Sequence, residues 1–174
     1  LEELNLDYVK KIGAILILRN PNRFERNDLK KFNNKCTKRN INLFIPNDIK
    51  TLFFLRSNKF YISAHNKKQF KHLKKINSNI EIIGSAHNIS EINEKIRQGC
   101  DYIVLSRIFE TSGKYKKGHL GTTKFNLLTR NFSKKFVALG GLNEKNFRKT
   151  NILNIHGCAF LKDKKKAGKY MPAF

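Results

Sequence analysis

Short runs of Ile, Val, Leu and Phe alternate with segments of helical period along the whole chain, and this alternation restricts the fold more than any other feature. The runs fall at 14–18, 43–45, 60–62, 81–84, 102–105, 136–139 and 158–161. Each is too short for a helix and too uniformly apolar for a strand with one wet face, so each reads as a strand buried on both sides. Between them, as at 28–39, Leu29, Phe32 and Cys36 recur three and four residues apart, which gathers them on one helix face. The fifth helix is the best marked, with Ser90 expected as its N-cap, Ile92 and Ile96 on its buried face and Gly99 as its stop. Strands separated by helices in this way run parallel. Two architectures hold them, an open doubly wound sheet or a closed eight-unit barrel.

The count of strands is seven, and a helical segment at about 1–11 already precedes the first of them. A chain that starts on a helix, at Leu1 rather than Met, is expected to lack the opening strand of an eight-strand set. The expectation is therefore a single α/β domain over 1–174, a TIM (β/α)8 barrel without its first strand, with an open groove between the strands at Ala14 and Cys158. A 40% apolar content over 174 residues is enough for a sizeable core. No apolar run approaches the roughly 20 residues of a membrane helix, and no charged-then-apolar leader opens the chain, so a cytoplasmic location without membrane contact is expected. Cys36, Cys100 and Cys158 stand singly, without metal or redox spacing, and read as free thiols, with Cys100 and Cys158 packed.

With 36 Lys and Arg against 13 Asp and Glu, the formal charge is +23. Such a surplus ordinarily points to nucleic acid or anionic membranes. Here the basic residues are scattered over helix faces rather than gathered in a stripe, and Asn is over-used alongside Lys, as drift in an AT-rich genome produces. A dedicated nucleic-acid surface is not expected.

In a barrel the chemistry gathers at the carboxyl ends of the strands. Those ends carry Arg19, then Asn47 and Asp48, then His65 and Asn66, then Ser85 and His87. After them come Arg107, Thr111 and Lys114, then Gly140 and Gly141, and last Lys162. Cations, hydroxyls and exposed glycine backbone suit a phosphorylated substrate, and Gly140 and Gly141, ahead of Asn143 as a helix N-cap, form a candidate phosphate cradle. Plainer roles compete. Asp48 is also a fitting helix cap, Ser85 and Thr111 fit loop backbone, His87 fits a packed or capping position, His119 and His156 fit the surface, and Lys114 beside Lys116 and Lys117 fits a solvated loop.

Five blocks occur in order: Gly84-Ser85-Ala86-His87, Gly99-Cys100-Asp101-Tyr102, Ile108 through Lys114 (Ile-Phe-Glu-Thr-Ser-Gly-Lys), Ala138-Leu139-Gly140-Gly141-Leu142, and Gly157-Cys158-Ala159. With the strand ends they resemble the thiamine phosphate synthase and TenI family over about 14–163. The resemblance implies an eight-stranded barrel that joins hydroxymethylpyrimidine diphosphate to thiazole phosphate with magnesium, releasing pyrophosphate. It implies catalytic roles for Arg19, Ser85 and Lys114, near the pyrimidine and its diphosphate. Substrate binding would fall to Asn47, Thr111, Gly113, Gly140, Gly141 and Lys162, and magnesium to Asp48 and, more weakly, Asn66.

The sequence departs from the family pattern at several of these places. Ile17 and Pro21 stand where the family has glutamine and lysine, Asn66 where it has the second metal aspartate, Lys162 where it has serine and Glu110 where it has proline. The stretch Phe109-Glu110-Thr111 is closer to the TenI branch, although Arg107 replaces that branch's histidine. Two other readings therefore stand beside the synthase: a TenI-like thiazole phosphate isomerase or phosphate-binding relative without metal, and a non-catalytic basic barrel binding RNA or a protein. The partners expected first are the two phosphorylated small molecules, and a homo-oligomer is compatible with the sequence. Lys162 is expected to point into the mouth and meet a substrate phosphate in place of the missing first-strand lysine.

Overall fold

The computed structural model describes residues 4–18, 20–111 and 118–159. Its seven strands are β1 (Leu16–Ile17), β2 (Leu43–Pro46), β3 (Lys59–Ile62), β4 (Glu81–Ala86), β5 (Tyr102–Ser106), β6 (Lys135–Leu139) and β7 (Gly157–Ala159). The helices are α1 (Leu6–Lys11), α2 (Arg26–Lys38), α3 (Ile49–Phe54), α4 (Leu73–Ile76), α5 (Ile89–Arg97) and α6 (Gly121–Thr129), and a 3-10 helix, Phe147–Ile152, stands before β7. Every strand pairs in parallel with the next one in the chain, in the order β1-β2-β3-β4-β5-β6-β7. That order decides between the two architectures, because a doubly wound sheet reverses direction at a switch point and this one never does. The sheet is a curled barrel segment of seven strands, one short of the eight that close such a barrel. Among the described residues β1 and β7 are its two edges, and the segment ahead of β1 is helix α1.

Period-two alternation divides the strand side chains between two cores. One face carries Ile45, Phe60, Ile62, Ile82, Ile103, Leu105 and Ala138, which pack against Leu29, Phe32 and Cys36 of α2, Leu52 of α3, Leu73 of α4, Ile92 of α5 and Phe125 of α6. The other face gathers Phe44, Ile83 and Val104 with Ile17, Tyr61, Val137 and Leu139, and among the described residues no helix residue joins that cluster. It is the interior of the curl. Both faces being apolar explains why the strands read as unbroken runs. Each fully buried Ile, Leu or Phe contributes about 1.5–3 kcal/mol of hydrophobic stabilisation.

Two local expectations are corrected. The N-cap of α5 is Asn88, not Ser90: the Asn88 side chain accepts the Glu91 N–H at 2.9 Å, and the Glu91 carboxylate in turn accepts the His87 N–H at 2.8 Å. This reciprocal pairing satisfies two amides that the helix itself leaves open. Its other end stops as expected, with Gly99 at φ +84° and the Cys100 N–H returning to the Lys95 carbonyl. Asn143 caps a turn rather than an α-helix. Its side chain accepts the Lys145 and Asn146 N–H groups, but a 3-10 helix follows.

All three cysteines are free, with Cys36 and Cys100 buried and Cys158 half-buried. Among the described residues no helix is long and apolar enough to cross a membrane.

Candidate active site at the carboxyl ends of the strands

Asn47 leaves β2 in the left-handed conformation, at φ +56°, which Asn tolerates better than most residues. Its backbone N–H remains on the sheet, bonded to the Tyr61 carbonyl at 2.8 Å. The side chain turns to the end of β3: Oδ1 accepts from the Ser63 N–H at 3.0 Å and from Asn66 Nδ2 at 2.9 Å, while Nδ2 donates to Ser63 Oγ at 3.1 Å. Two of the predicted site residues, Asn47 and Asn66, are thus bonded to each other. Asn66 Oδ1 accepts the Lys68 N–H at 2.9 Å.

Asp48 is the N-cap of α3. One carboxylate oxygen accepts the Lys50 N–H at 2.9 Å and the other accepts the Thr51 hydroxyl. Partial burial pushes its pKa up, but the hydrogen bonds from Thr51 and Lys50 and the nearby Lys50 charge outweigh this and hold the carboxyl below its ordinary range. The Thr51 N–H adds a third hydrogen bond to this carboxylate, which leaves it a single unused lone pair of the four its two oxygens carry. Among the described residues no three His, Cys, Asp or Glu side chains come together as a metal-binding group. The donors at this end of the sheet, one capped carboxylate and amide oxygens, fit magnesium that already carries phosphate oxygens of its own rather than a free ion.

Ser85, on β4 and buried, shares a hydrogen bond with the Tyr61 hydroxyl of β3. One step further along the strands, His87 Nδ1 lies 2.8 Å from Ser106 Oγ at the end of β5. Tyr61, Ser63 and Ser106 were not singled out from the sequence. Their signal was alternation, since Tyr61 and Ser63 lie two apart, as do Ser85 and His87, all pointing to the interior of the curl.

Between β5 and β6, Arg107 Nη1 donates to Thr111 Oγ1 at 3.4 Å, and the same arginine packs over Gly140. Gly140 and Gly141 have φ of +102° and +69°. A Cβ on Gly140 would lie 2.9 Å from Arg107 Cγ, and one on Gly141 would run into the carbonyls of Phe109 and Glu110. The pair is therefore required by a close pass of the β5–α6 loop over the end of β6, held by the Phe109 N–H to the Gly140 carbonyl at 3.1 Å. That contact brings Glu110, the residue before Thr111, against Gly141, while Arg107 bridges Thr111 and Gly140. Arg19, Gly113, Lys114 and Lys162 lie outside the described residues.

Matching groups from β2 to β6 thus stand at one end of one sheet. The family model described as Thiamine monophosphate synthase (TMP-TENI) matches residues 9–163. The thiamine-phosphate synthase of Prochlorococcus marinus subsp. pastoris is 31% identical over 125 residues, 71% of this chain and 35% of that protein. That of Vibrio campbellii is 32% identical over 99 residues, 52% of this chain and 48% of that protein. The chain spans about a third to a half of the length of these relatives. Among solved structures, the thiamine phosphate pyrophosphorylase from Pyrococcus furiosus matches with a TM-score of 0.69 at 17% identity, over 91% of this chain and 79% of that one. FabK from Thermotoga maritima follows with a TM-score of 0.64 at 15% identity, over 86% of this chain and 50% of that one. At such identities the structural likeness speaks to the fold alone, but the family model runs through all seven strands and every strand end described above, and the chain belongs to the thiamine monophosphate synthase family.

Proposed function

We propose that the protein joins hydroxymethylpyrimidine diphosphate to thiazole phosphate and releases pyrophosphate. The bond between the pyrimidine methylene carbon and the diphosphate oxygen breaks, and its electron pair leaves with pyrophosphate. The thiazole nitrogen then donates its lone pair to the carbocation, forming the new C–N bond. No strong base is needed. The protein has to hold two anionic substrates in register and stabilise the departing charge, which is positioning and electrostatics.

In this reading Asn47 and Asn66 bind the diphosphate, with Ser85 beside it. Thr111, Gly140 and Gly141 receive the thiazole phosphate together with Gly113, and Lys162 meets a substrate phosphate. Arg19 and Lys114 supply cationic charge to the pyrimidine and its diphosphate. Magnesium, entering with the diphosphate, would neutralise the leaving group, with Asp48 as its protein carboxylate and Asn66 as a weak neutral donor.

The observation that supports this most is the hydrogen-bonded set Asn47, Ser63 and Asn66, which joins the positions matching the family's diphosphate and metal residues across two strand ends. Calorimetric titration tests it. Hydroxymethylpyrimidine diphosphate should bind in the presence of magnesium and much more weakly in its absence. Binding of thiazole phosphate alone, with no response to the diphosphate, would favour the TenI-like isomerase.

A further inference from the structure

Lys95 lies on α5 with its side chain fully buried, and its ammonium reaches under the loop that follows β3. There Nζ donates to the carbonyls of Ser63 and Asn66, each at 2.9 Å, and to Gln98 Oε1 at 3.0 Å. Gln98, equally buried, donates from Nε2 to the carbonyls of Asn66 at 2.7 Å and Lys68 at 2.9 Å. All three donors of the ammonium are used on neutral oxygens, and among the described residues no carboxylate forms an ion pair with it. Burying a lone ammonium is costly unless its hydrogen bonds are complete. The sheet makes room for it: a Cβ on Gly84 would lie 2.8 Å from Lys95 Cδ and 2.7 Å from Cys100 Sγ. Gly84 is a strand glycine whose missing side chain is the passage for the lysine stem.

The loop gripped from below is the one whose upper side carries the candidate site. Ser63 and Asn66 offer their carbonyls to Lys95 and their N–H, hydroxyl and amide groups to Asn47. We propose that Lys95, assisted by Gln98, is a positioning residue that fixes the 63–68 loop so that Asn66 and Asn47 face the diphosphate. It touches no substrate and acts through those two amides. The nature of the ligand rests on the proposed function, whereas the anchoring of the loop does not.

Lys95→Met tests this, because it keeps the stem that fills the space at Gly84 and removes every donor. Amide hydrogen exchange on the unliganded protein should speed up at 63–68, with the strands, and the sheet-bonded Asn47 amide, unchanged. The KM for hydroxymethylpyrimidine diphosphate should rise about tenfold while that for thiazole phosphate stays the same. Titration with inorganic pyrophosphate and magnesium should weaken by the same factor, and this arm reads the site even if the parent makes no thiamine phosphate. Unchanged exchange at 63–68 overturns the anchoring. Faster exchange with unchanged pyrophosphate affinity overturns the link to the site, as does an equal rise in both KM values. Should Lys95→Met fail to fold, Gln98→Met carries the same three measurements, with the same direction expected and the same results against it.

Discussion

Gly141 runs so close beneath Phe109 that a Cβ built on it would stand 2.5 Å from the Phe109 carbonyl oxygen. The glycine is also in the left-handed region, at φ +69°. Two separate costs therefore meet at one position. Gly118 offers a comparison, since its φ is +82° but among the described residues nothing lies within 4 Å of a Cβ built on it. Gly141→Ala should lower unfolding stability by about 2–4 kcal/mol, and Gly118→Ala by only about 1 kcal/mol, the conformational part alone. Urea unfolding midpoints measure both. Equal losses would mean that the loop over β6 is not packed as described.

Asp48 joins two roles, helix cap and proposed magnesium ligand, and two substitutions part them. Asn is as good an N-cap as Asp, so Asp48→Asn should leave stability within a few tenths of a kcal/mol, while Asp48→Ala should cost about 1 kcal/mol. Both should abolish synthase turnover and leave thiazole phosphate binding nearly intact, because the Gly140 and Gly141 end does not use this carboxylate. Turnover of Asp48→Asn equal to the parent would remove Asp48 from the chemistry.

The same carboxyl gives a pH dependence. Its folded pKa is depressed below the ordinary 3.8. The contribution of the ionised cap is then fully present above that value and is lost as pH falls through the folded pKa. Acid unfolding of Asp48→Asn should show a shallower decline of stability below about pH 4 than the parent. Identical acid profiles would contradict the hydrogen-bonded cap.

How much of this was legible beforehand differs from element to element. The strands were, because a parallel strand covered on both faces leaves a short apolar run and these runs recur between helical segments, although the run alone does not decide: 52–55 is as apolar and lies at the end of α3. The cap of α5 is legible too, since Asn88 with Glu91 three residues on has a capping-box spacing, but Ser90 two residues later is an equally favourable cap type and the sequence alone does not rank them. The asparagine after the glycine pair signals a cap without saying which helix type follows, because an Asx turn serves either. Lys95 was hidden for a different reason. It sits three residues after Ile92, in line with the buried stripe, but two of its three partners are backbone carbonyls, and carbonyls leave no mark in a sequence. The space that admits it comes from Gly84 on another element, which only the packed structure relates to it.

The hydroxyls of Tyr61 and Ser85 satisfy each other inside the curl. Tyr61→Phe strands the buried Ser85 hydroxyl and should cost about 1–3 kcal/mol, whereas adding Ser85→Ala to it should recover most of that loss. A double-mutant cycle from denaturant unfolding measures the coupling. Additive losses would show that the two hydroxyls are independent.

Burial pushes the Cys100 thiol up to about 12 and the Cys36 thiol up to about 11. Neither should react with an aromatic disulfide reagent at pH 8 until the protein opens, whereas half-buried Cys158 should react first. Because both folded values lie above the ordinary 9.0, stability is whole below that pH and declines as pH rises towards 11, the unfolded thiols ionising first. Rapid labelling of all three cysteines in native protein would contradict their packing.

The most direct measurement is product formation. The purified protein is incubated with hydroxymethylpyrimidine diphosphate, thiazole phosphate and magnesium, and thiamine phosphate and pyrophosphate are quantified together, beside the Asp48→Asn variant. Equal amounts of the two products, dependent on magnesium and absent from the variant, are the expected result. No thiamine phosphate from the parent protein, under conditions where both substrates are bound, would contradict the synthase.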